Sequence, residues 1–288
     1  MLVASLGYLL QRRYRLHIGT LSSVVFNILS PCLVFSSLAN SQLPGTELAE
    51  LVAFTAINIL AMGGLAYLLA RLLRLKRAEI ATLLIVAMFV NGGNYGLTLL
   101  HLRYDADGLS RGVVYYVTST VMVYTLGVLI ASMGSVSWRE TLKRMLKLPA
   151  VYAALLALVV YGLDITIPAP IMSGITIAGN GAIPVMLLVL GMQIAELHPD
   201  NGASYVWPAV GLRLIIGPIV GLGVAALIGL QGIGRSSMII ESAMPTAVIN
   251  IILATEFGLP TSNVARIVVI STLISPLTIA ATITILGL

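Results

Sequence analysis

The sequence predicts an all-α integral membrane protein, on three compositional observations. Hydrophobic residues make up 58% of the 288 residues, and charged residues make up only 9%. The mean hydropathy is +1.02, whereas a soluble domain carries about 25% charged residues on average. The single cysteine, Cys32, excludes an intramolecular disulfide or a cysteine metal cluster. The composition therefore excludes a soluble enzyme, a nucleic-acid-binding protein and a disordered scaffold.

Charges, prolines and polar clusters divide the chain into ten apolar segments. A helix needs about 20 apolar residues to cross a bilayer core of about 30 Å. The first segment is shorter than that, so either preceding residues are missing or the first span is stunted. It is not a signal peptide, because its basic cluster follows the apolar residues. The predicted spans are residues 2–11, 20–39, 48–73, 80–100, 112–133, 149–163, 171–196, 205–230, 236–257 and 262–286.

The distribution of Lys and Arg predicts the orientation of the chain. Basic clusters follow the first, third and fifth segments, whereas the connections between them have no basic excess. Because cytoplasmic loops are rich in Lys and Arg, both termini are expected outside. The same rule explains the net charge of +5 without a nucleic-acid partner. The clusters are Arg12, Arg13 and Arg15; Arg71, Arg74, Lys76 and Arg77; and Arg139, Lys143, Arg144 and Lys147.

Three sequence matches at a common offset of about 150 residues predict an internal repeat. Two halves of five segments insert in opposite senses, so this repeat is an inverted one. We assign residues 1–140 to the first repeat and residues 141–288 to the second. The matched positions are 27–31 with 180–184, both Asn-x-x-x-Pro; Ser119 and Thr120 with Ser271 and Thr272; and Asn94 with Met244 and Pro245.

The fourth and ninth segments are interrupted by poor helix formers. Residues 91–96 read Asn-Gly-Gly-Asn-Tyr-Gly, and residues 241–246 read Glu-Ser-Ala-Met-Pro-Thr. Glycine weakens a helix, and proline removes a backbone donor. Backbone groups freed at membrane depth persist where protein buries them or where they line a wet cavity. Such groups can bind a cation or an anion, so the paired breaks predict a binding site. Close packing and a simple proline kink are the alternative.

Two charged residues, Arg213 and Glu241, lie well inside the predicted segments. A charge there costs on the order of 3 kcal/mol even on lenient insertion scales. Three interpretations remain open: a structural ion pair, a cation or proton site at Glu241, and an anion site that includes Arg213. Ser119 and Thr120 can add hydroxyl ligands for Na⁺, although such hydroxyls more often bond to their own helix.

The residues around the two breaks resemble the auxin efflux carrier family. The resemblance lies in residues 7–13, 93–97, 243–250 and 254–258, and it extends over the whole chain. It implies two inverted five-helix repeats whose broken helices four and nine cross near the midplane. It also implies a scaffold domain of spans one, two, six and seven beside a transport domain of spans three to five and eight to ten.

In the auxin efflux carrier family the substrates are organic anions such as carboxylates, or auxin in plants, and exchange is elevator-like. The resemblance places Asn94, Pro245 and Asn250 at the crossing point. This chain departs from the family in its short first span and in lacking the long central loop of many plant members.

A more distant resemblance is to the sodium–bile acid symporters, which share this architecture. Their ninth helix carries a Glu three residues before a Met, and that Glu ligates sodium. Glu241 and Met244 fit this spacing, although Pro245 stands where that family usually has a Gln. The resemblance implies a Na⁺ site at Glu241.

We predict a secondary transporter of a small organic anion in a prokaryotic plasma membrane. Its partners are the substrate and the lipid bilayer, and Na⁺ is the one cofactor that the sequence leaves open. The sequence shows no catalytic constellation, and His17, His101 and His198 have no metal spacing. The alternatives are a sodium-coupled symporter of bile-acid-like acids, a channel and a non-transporting ligand sensor, and a homodimer is left open. The predicted substrate-binding residues are Asn91, Asn94, Tyr95, Pro245, Thr246, Asn250 and Arg213, and the predicted ion-coupling residues are Glu241, Met244, Ser119 and Thr120.

Overall fold

The fold is given by a computed structural model that describes residues 2–40, 43–132, 146, 149–163, 165–196 and 203–288. The described residues are almost entirely helical and contain no strand, which confirms the all-α prediction. The basic cluster at 139–147 and the predicted repeat boundary near residue 140 lie outside the described residues.

We number the helices of the described residues in chain order. Adjoining α-helical and π-helical stretches are treated as one helix. They are α1 Leu2–Tyr14, α2 Ile18–Ala39, α3 Gly45–Leu72, α4 Arg77–Met88, α5 Gly92–Ala131, α6 Pro149–Gly162, α7 Ala169–Glu196, α8 Val206–Ile228, α9 Gly232–Ser242, α10 Ile249–Glu256 and α11 Thr261–Leu286.

Six helices in the described residues are long and apolar enough to cross a membrane: α2, α3, α5, α7, α8 and α11. Helices α1 and α6 have only 13 and 14 residues. The fourth and ninth predicted segments are not single helices, because α4 ends at Met88 and α9 ends at Ser242. Helix length therefore establishes six candidate spans, and the other predicted segments form short or interrupted helices.

Helix α5 changes direction where the sequence predicts the connection between the fourth and fifth segments. Tyr104 and Asp105 have non-helical backbone angles, and Asp105 has a φ of 49°. We therefore distinguish α5a, residues 92–103, from α5b, residues 106–131. The short α5a is the half-helix that follows the break in the fourth segment.

Close helix packing at glycines positions the short helix α1. A Cβ atom at Gly7 would overlap the backbone of Leu188, and one at Gly191 would overlap the backbone of Ala4. Helix α1 therefore lies directly on α7, as small residues allow in membrane helix pairs. Helix α2 packs on α6 and α7, while α3 packs on α4, α5, α8 and α9.

Four π-helical turns interrupt the helices within the described residues: Val25–Leu29, Gly92–Leu97, Val123–Gly127 and Leu212–Ile216. They lie in α2, α5a, α5b and α8. A π turn shifts the backbone hydrogen bonds from i→i+4 to i→i+5, is rare, and often lies at a functional site. The first three contribute residues to one cavity, and the fourth contains Arg213.

Candidate functional site

The breaks in the fourth and ninth segments meet inside the molecule. Val90 and Thr246 form an isolated antiparallel bridge. The Asn91 N–H donates to the Pro245 carbonyl at 2.8 Å, and the Ala247 N–H donates to the Phe89 carbonyl at 3.0 Å. We call this meeting of residues 89–91 with residues 243–248 the crossover. Two non-helical, buried stretches thus satisfy some of each other's backbone groups, as is required where water cannot do so.

Side chains complete the hydrogen bonding of the crossover. The Asn250 side-chain amide donates to the Phe89 carbonyl at 3.0 Å, and the Thr246 hydroxyl donates to the Val86 carbonyl at 2.9 Å. The Thr246 N–H donates to the Ser271 hydroxyl at 3.3 Å. Thr246 and Asn250 are both fully buried. The hydrogen bonds of Thr246 and Asn250 therefore help to hold the two broken segments together.

A cavity of about 340 Å³ lies beside the crossover, where α2 and α7 face α5 and the start of α10. This volume is near the lower end of the range for ligand pockets, about 300–1,000 Å³. The described lining residues are Ser22, Ser23, Val25, Phe26, Asn27, Val90, Asn91, Gly92, Gly93, Asn94, Tyr116, Ser119, Thr120, Val123, Tyr124, Met186, Val189, Ala247, Val248, Ile249 and Ile252.

The cavity brings together four of the residues that the sequence predicts for the site: Asn91, Asn94, Ser119 and Thr120. The Thr120 hydroxyl donates to the Tyr116 carbonyl of its own helix at 2.7 Å. The other predicted residues are not among the described lining residues. These are Tyr95, Arg213, Glu241, Met244, Pro245, Thr246 and Asn250.

Several residues that line the cavity are not predicted from the sequence. Phe26 and Tyr124 face each other from α2 and α5b, with their ring centroids 6.2 Å apart. Tyr116 forms a 3.0 Å hydrogen bond between its hydroxyl and that of Ser30. In the sequence these side chains are ordinary members of apolar segments. Phe26 and Tyr124 lie in π turns, and no residue pattern in the sequence predicts a π turn there.

The wall of the cavity is mostly apolar with some polar groups, and no described lining residue is Asp, Glu, Lys or Arg. Its wall includes the first residues of two half-helices, Gly92 and Gly93 of α5a and Val248 and Ile249 at the start of α10. The first N–H groups of a helix have no partner within it, and that end carries about half a positive charge. Asn91 adds a buried side-chain N–H₂ group without a partner among the described residues.

Glu241 lies in the last turn of α9 and is fully buried. A Cβ atom at Gly92 would lie 2.7 Å from its Oε2, and one at Gly96 would overlap both oxygens. Neither oxygen has a hydrogen-bond partner among the described residues. The carboxylate thus lies directly against glycine backbone and lacks a donor or a cation. Leaving a buried carboxylate ionised and unpaired costs several kcal/mol.

Arg213, in α8, is also fully buried, but its contacts differ from those of Glu241. Its Nη1 donates to the Ala87 carbonyl at 2.7 Å, and its Nη2 donates to the Ser242 carbonyl. The ion pairs found in the described residues do not join Arg213 to Glu241. The guanidinium therefore binds the ends of α4 and α9 and does not enter the cavity.

Comparison with known proteins agrees with the resemblance noted from the sequence. The membrane transport protein family matches residues 1–135 and 132–283. An uncharacterized transporter of Methanothermobacter thermautotrophicus is 27% identical over 260 residues, which cover 89% of this chain and 85% of that relative. An uncharacterized transporter of Methanocaldococcus jannaschii is 25% identical over 92% of this chain and 88% of its own length.

A plant protein extends these matches. A probable auxin efflux carrier component 3b of Oryza sativa subsp. japonica is 25% identical over 160 residues, which are 53% of this chain and 26% of the rice protein. The described residues add several helices that can cross a membrane. The chain thus belongs to the membrane transport protein family, that of the auxin efflux carriers, whose members are multi-pass membrane transporters and not enzymes.

Proposed function

We propose that this protein is a secondary transporter of a small organic anion, which binds in the cavity beside the crossover. The observation that carries this proposal is that the starts of two half-helices and a few polar side chains meet in a cavity whose described lining carries no charge. Each helix start is equivalent to about half a positive charge, so the pair suits one anionic group. The amides of Asn91 and Asn94 add donors at the same place.

The remaining wall suits an apolar body. Phe26, Tyr124, Met186 and Val189 line the cavity on the sides formed by α2, α5b and α7. A volume of about 340 Å³ fits a small acid better than a molecule of bile-acid size. This favours a small carboxylate over the sodium-coupled transport of bile-acid-like acids.

The proposed transport cycle is an elevator movement of ten spans arranged as two inverted repeats, residues 1–140 and 141–288. The scaffold consists of α1, α2, α6 and α7, and the transport domain consists of the other helices. The packing of α1 on α7 and of α2 on α6 and α7 supports this grouping. The protein works in a prokaryotic plasma membrane with both termini outside.

Glu241 is the proposed coupling residue. Its carboxylate is buried beside Gly92 and Gly96, which lie near the start of α5a, the half-helix that also lines the cavity. Because both oxygens lack a partner among the described residues, this group suits an added proton or Na⁺. Binding at Glu241 and binding in the cavity then act on the same short half-helix, α5a.

The substrate test is a thermal-shift screen of organic acids followed by counterflow in proteoliposomes. A small monocarboxylate should raise the melting temperature of the parent and exchange across the membrane with saturation. Asn94→Ala should lose most of the shift and the exchange, because the amide supplies a donor and an acceptor in the cavity. Asn40→Ala, at the end of α2 and outside the cavity, is the matched control.

If Asn94→Ala and the parent exchange substrate equally, at equal protein content in the membrane, the substrate does not bind at Asn94 and the proposed site is wrong. Flux without saturation or counterflow identifies a channel. Saturable binding without any flux identifies a ligand sensor.

The coupling test compares melting of the parent and Glu241→Gln in Na⁺ and in K⁺. A Na⁺ site stabilises the parent by about 2.7 kcal/mol at a hundredfold excess over the dissociation constant. Glu241→Gln should abolish this shift, because it removes the charge and nearly keeps the shape. A proton site instead gives no Na⁺ effect and a pH-dependent transport rate that Glu241→Gln flattens. An unchanged Na⁺ shift in Glu241→Gln excludes Glu241 as the ion ligand.

A further inference from the structure

The ends of two half-helices converge on one guanidinium group. Helix α4 ends at Met88 and α9 ends at Ser242. Arg213 Nη1 donates to the carbonyl of Ala87, and Arg213 Nη2 donates to the carbonyl of Ser242. A single side chain from α8 thus joins the last turns of two helices that are far apart in the sequence.

The charge at this meeting point is balanced by backbone dipoles. The C-terminal end of a helix is equivalent to about half a negative charge, so two such ends amount to about one. Arg213 supplies one positive charge, and the ion pairs of the described residues include no acidic partner for it. The backbone of α4 and α9 is therefore the counter-charge of Arg213.

Glycines in α8 make room for this arrangement. A Cβ atom at Gly217 would overlap the Arg213 guanidinium and would lie 2.8 Å from the Ser242 carbonyl oxygen. A Cβ atom at Gly221 would overlap the Ser242 side chain. The glycines on this face of α8 thus let the end of α9 pack closely against α8, where it contacts Arg213. The contact depends on residues spread over about two turns of α8.

We propose that Arg213 is a tethered cation, which occupies the position that a dissolved cation would otherwise take between the ends of α4 and α9. It is a positioning residue for transport, because it fixes the two half-helices whose continuations, α5a and α10, line the cavity. The carbonyls of Ala87 and Ser242 are then closed to Na⁺, and ion coupling is confined to Glu241. The proposal rests on the contacts of Arg213 and does not depend on the identity of the substrate.

The test is chemical rescue of Arg213→Ala by guanidinium ion. The parent, Arg213→Ala and the control Arg235→Ala are melted in detergent with guanidinium chloride or potassium chloride at equal, non-denaturing concentrations. Arg235 lies near the other end of α9 from Ser242. The melting temperature of Arg213→Ala should fall and should rise again, saturably, with guanidinium but not with K⁺. The parent and Arg235→Ala should show no such rise.

Two further variants keep the test decisive if Arg213→Ala does not fold. Arg213→Lys keeps the charge with a compact ammonium group, whereas Arg213→Met keeps only apolar bulk. A tethered cation requires that Arg213→Lys melt at a higher temperature than Arg213→Met. Equal melting of these two variants, or Arg213→Ala that folds without any response to guanidinium, reduces Arg213 to a packing residue and overturns the proposal.

Discussion

Among the described residues, two charged side chains are buried, Arg213 and Glu241, and they differ in their hydrogen bonds at the same end of α9: two of the three Arg213 nitrogens have partners, and neither Glu241 oxygen has one. Arg213 reaches the carbonyl of Ser242, the residue next to Glu241, and also the carbonyl of Ala87. The Glu241 carboxylate has no partner among the described residues. Both side chains are fully buried, so exposure does not distinguish them.

This difference is the one expected between a charge that holds the structure together and a charge that binds a ligand. A buried charge with hydrogen bonds to helix ends stabilises one fixed arrangement of the chain. A buried charge without partners is costly and is retained in membrane proteins mainly for function. The comparison therefore supports the two proposals, that Arg213 belongs to the framework of the crossover and that Glu241 takes part in the transport cycle.

The largest expected effect comes from Arg213→Ala, compared with Glu241→Gln. Hydrogen bonds to charged groups contribute about 1.5–3 kcal/mol each, so losing both bonds of Arg213 should cost about 3 kcal/mol or more. Glu241→Gln should be neutral or stabilising, because it removes a buried charge that has no partner. Melting temperatures in K⁺, without added substrate, measure both effects.

The double variant decides whether the two charges act on each other. If they belong to separate structures, the effects of Arg213→Ala and Glu241→Gln should add. Recovery of most of the lost stability in the double variant would instead identify an ion pair, since a lone buried charge costs more than none.

A smaller effect is expected from Gly96→Ala, which tests how tightly the chain encloses Glu241. The added methyl group would overlap the Glu241 carboxylate, and overpacking a filled interior costs about 1–3 kcal/mol. The same substitution should be tolerated when Glu241 is replaced by Ala, because the overlapping atoms are then gone. Melting of the two single variants and the double variant measures this relief.

Gly223→Ala, in α8, is the matched control for Gly96→Ala. A Cβ atom at Gly223 meets no atom within 4 Å, and alanine improves helix stability by about 0.5–1 kcal/mol over glycine. It should therefore melt at or slightly above the parent temperature. If Gly96→Ala behaves like Gly223→Ala, the carboxylate has room to move and is not enclosed.

The sequence predicts the parts of this protein that depend on local chemistry. The low charge content predicts membrane helices, and the glycines and proline at 91–96 and 241–246 predict two breaks. The first break nevertheless begins at Phe89, before the Gly/Asn cluster, because residues 89–91 pair with the extended stretch at 245–247. Pairing between distant segments therefore decided where the fourth segment stops being helical.

The candidate site is less accessible from the sequence than the fold. The sequence predicts Asn91 and Asn94, which line the cavity, because amides are conspicuous in an apolar segment. Phe26 and Tyr124 were not found, since they differ from other aromatic residues only in lying on π turns that face the cavity. The sequence predicts that Arg213 is a buried charge, but it does not predict its partners. These are backbone carbonyls, which every residue has, so no residue type marks them.

The smallest expected effect comes from Tyr116→Phe. It removes a hydrogen bond between two neutral groups, and its cost can be compared with the cost of changing each buried charge. The hydroxyls of Tyr116 and Ser30 are 3.0 Å apart and join α5b to α2. Hydrogen bonds between membrane helices contribute about 0.6 kcal/mol on average. Tyr116→Phe should therefore lower the melting temperature only slightly, far less than Arg213→Ala.

Ser30→Ala provides the control, because it removes the same bond from the other side. Each single variant should cost about the same, and the double variant should cost little more than either one. This bond also joins the proposed scaffold to the proposed transport domain, so an elevator movement has to break it. Tyr116→Phe and Ser30→Ala should then change the rate of substrate counterflow more than they change melting. A counterflow rate identical to that of the parent in both variants would show that breaking this bond is not part of the rate-limiting movement.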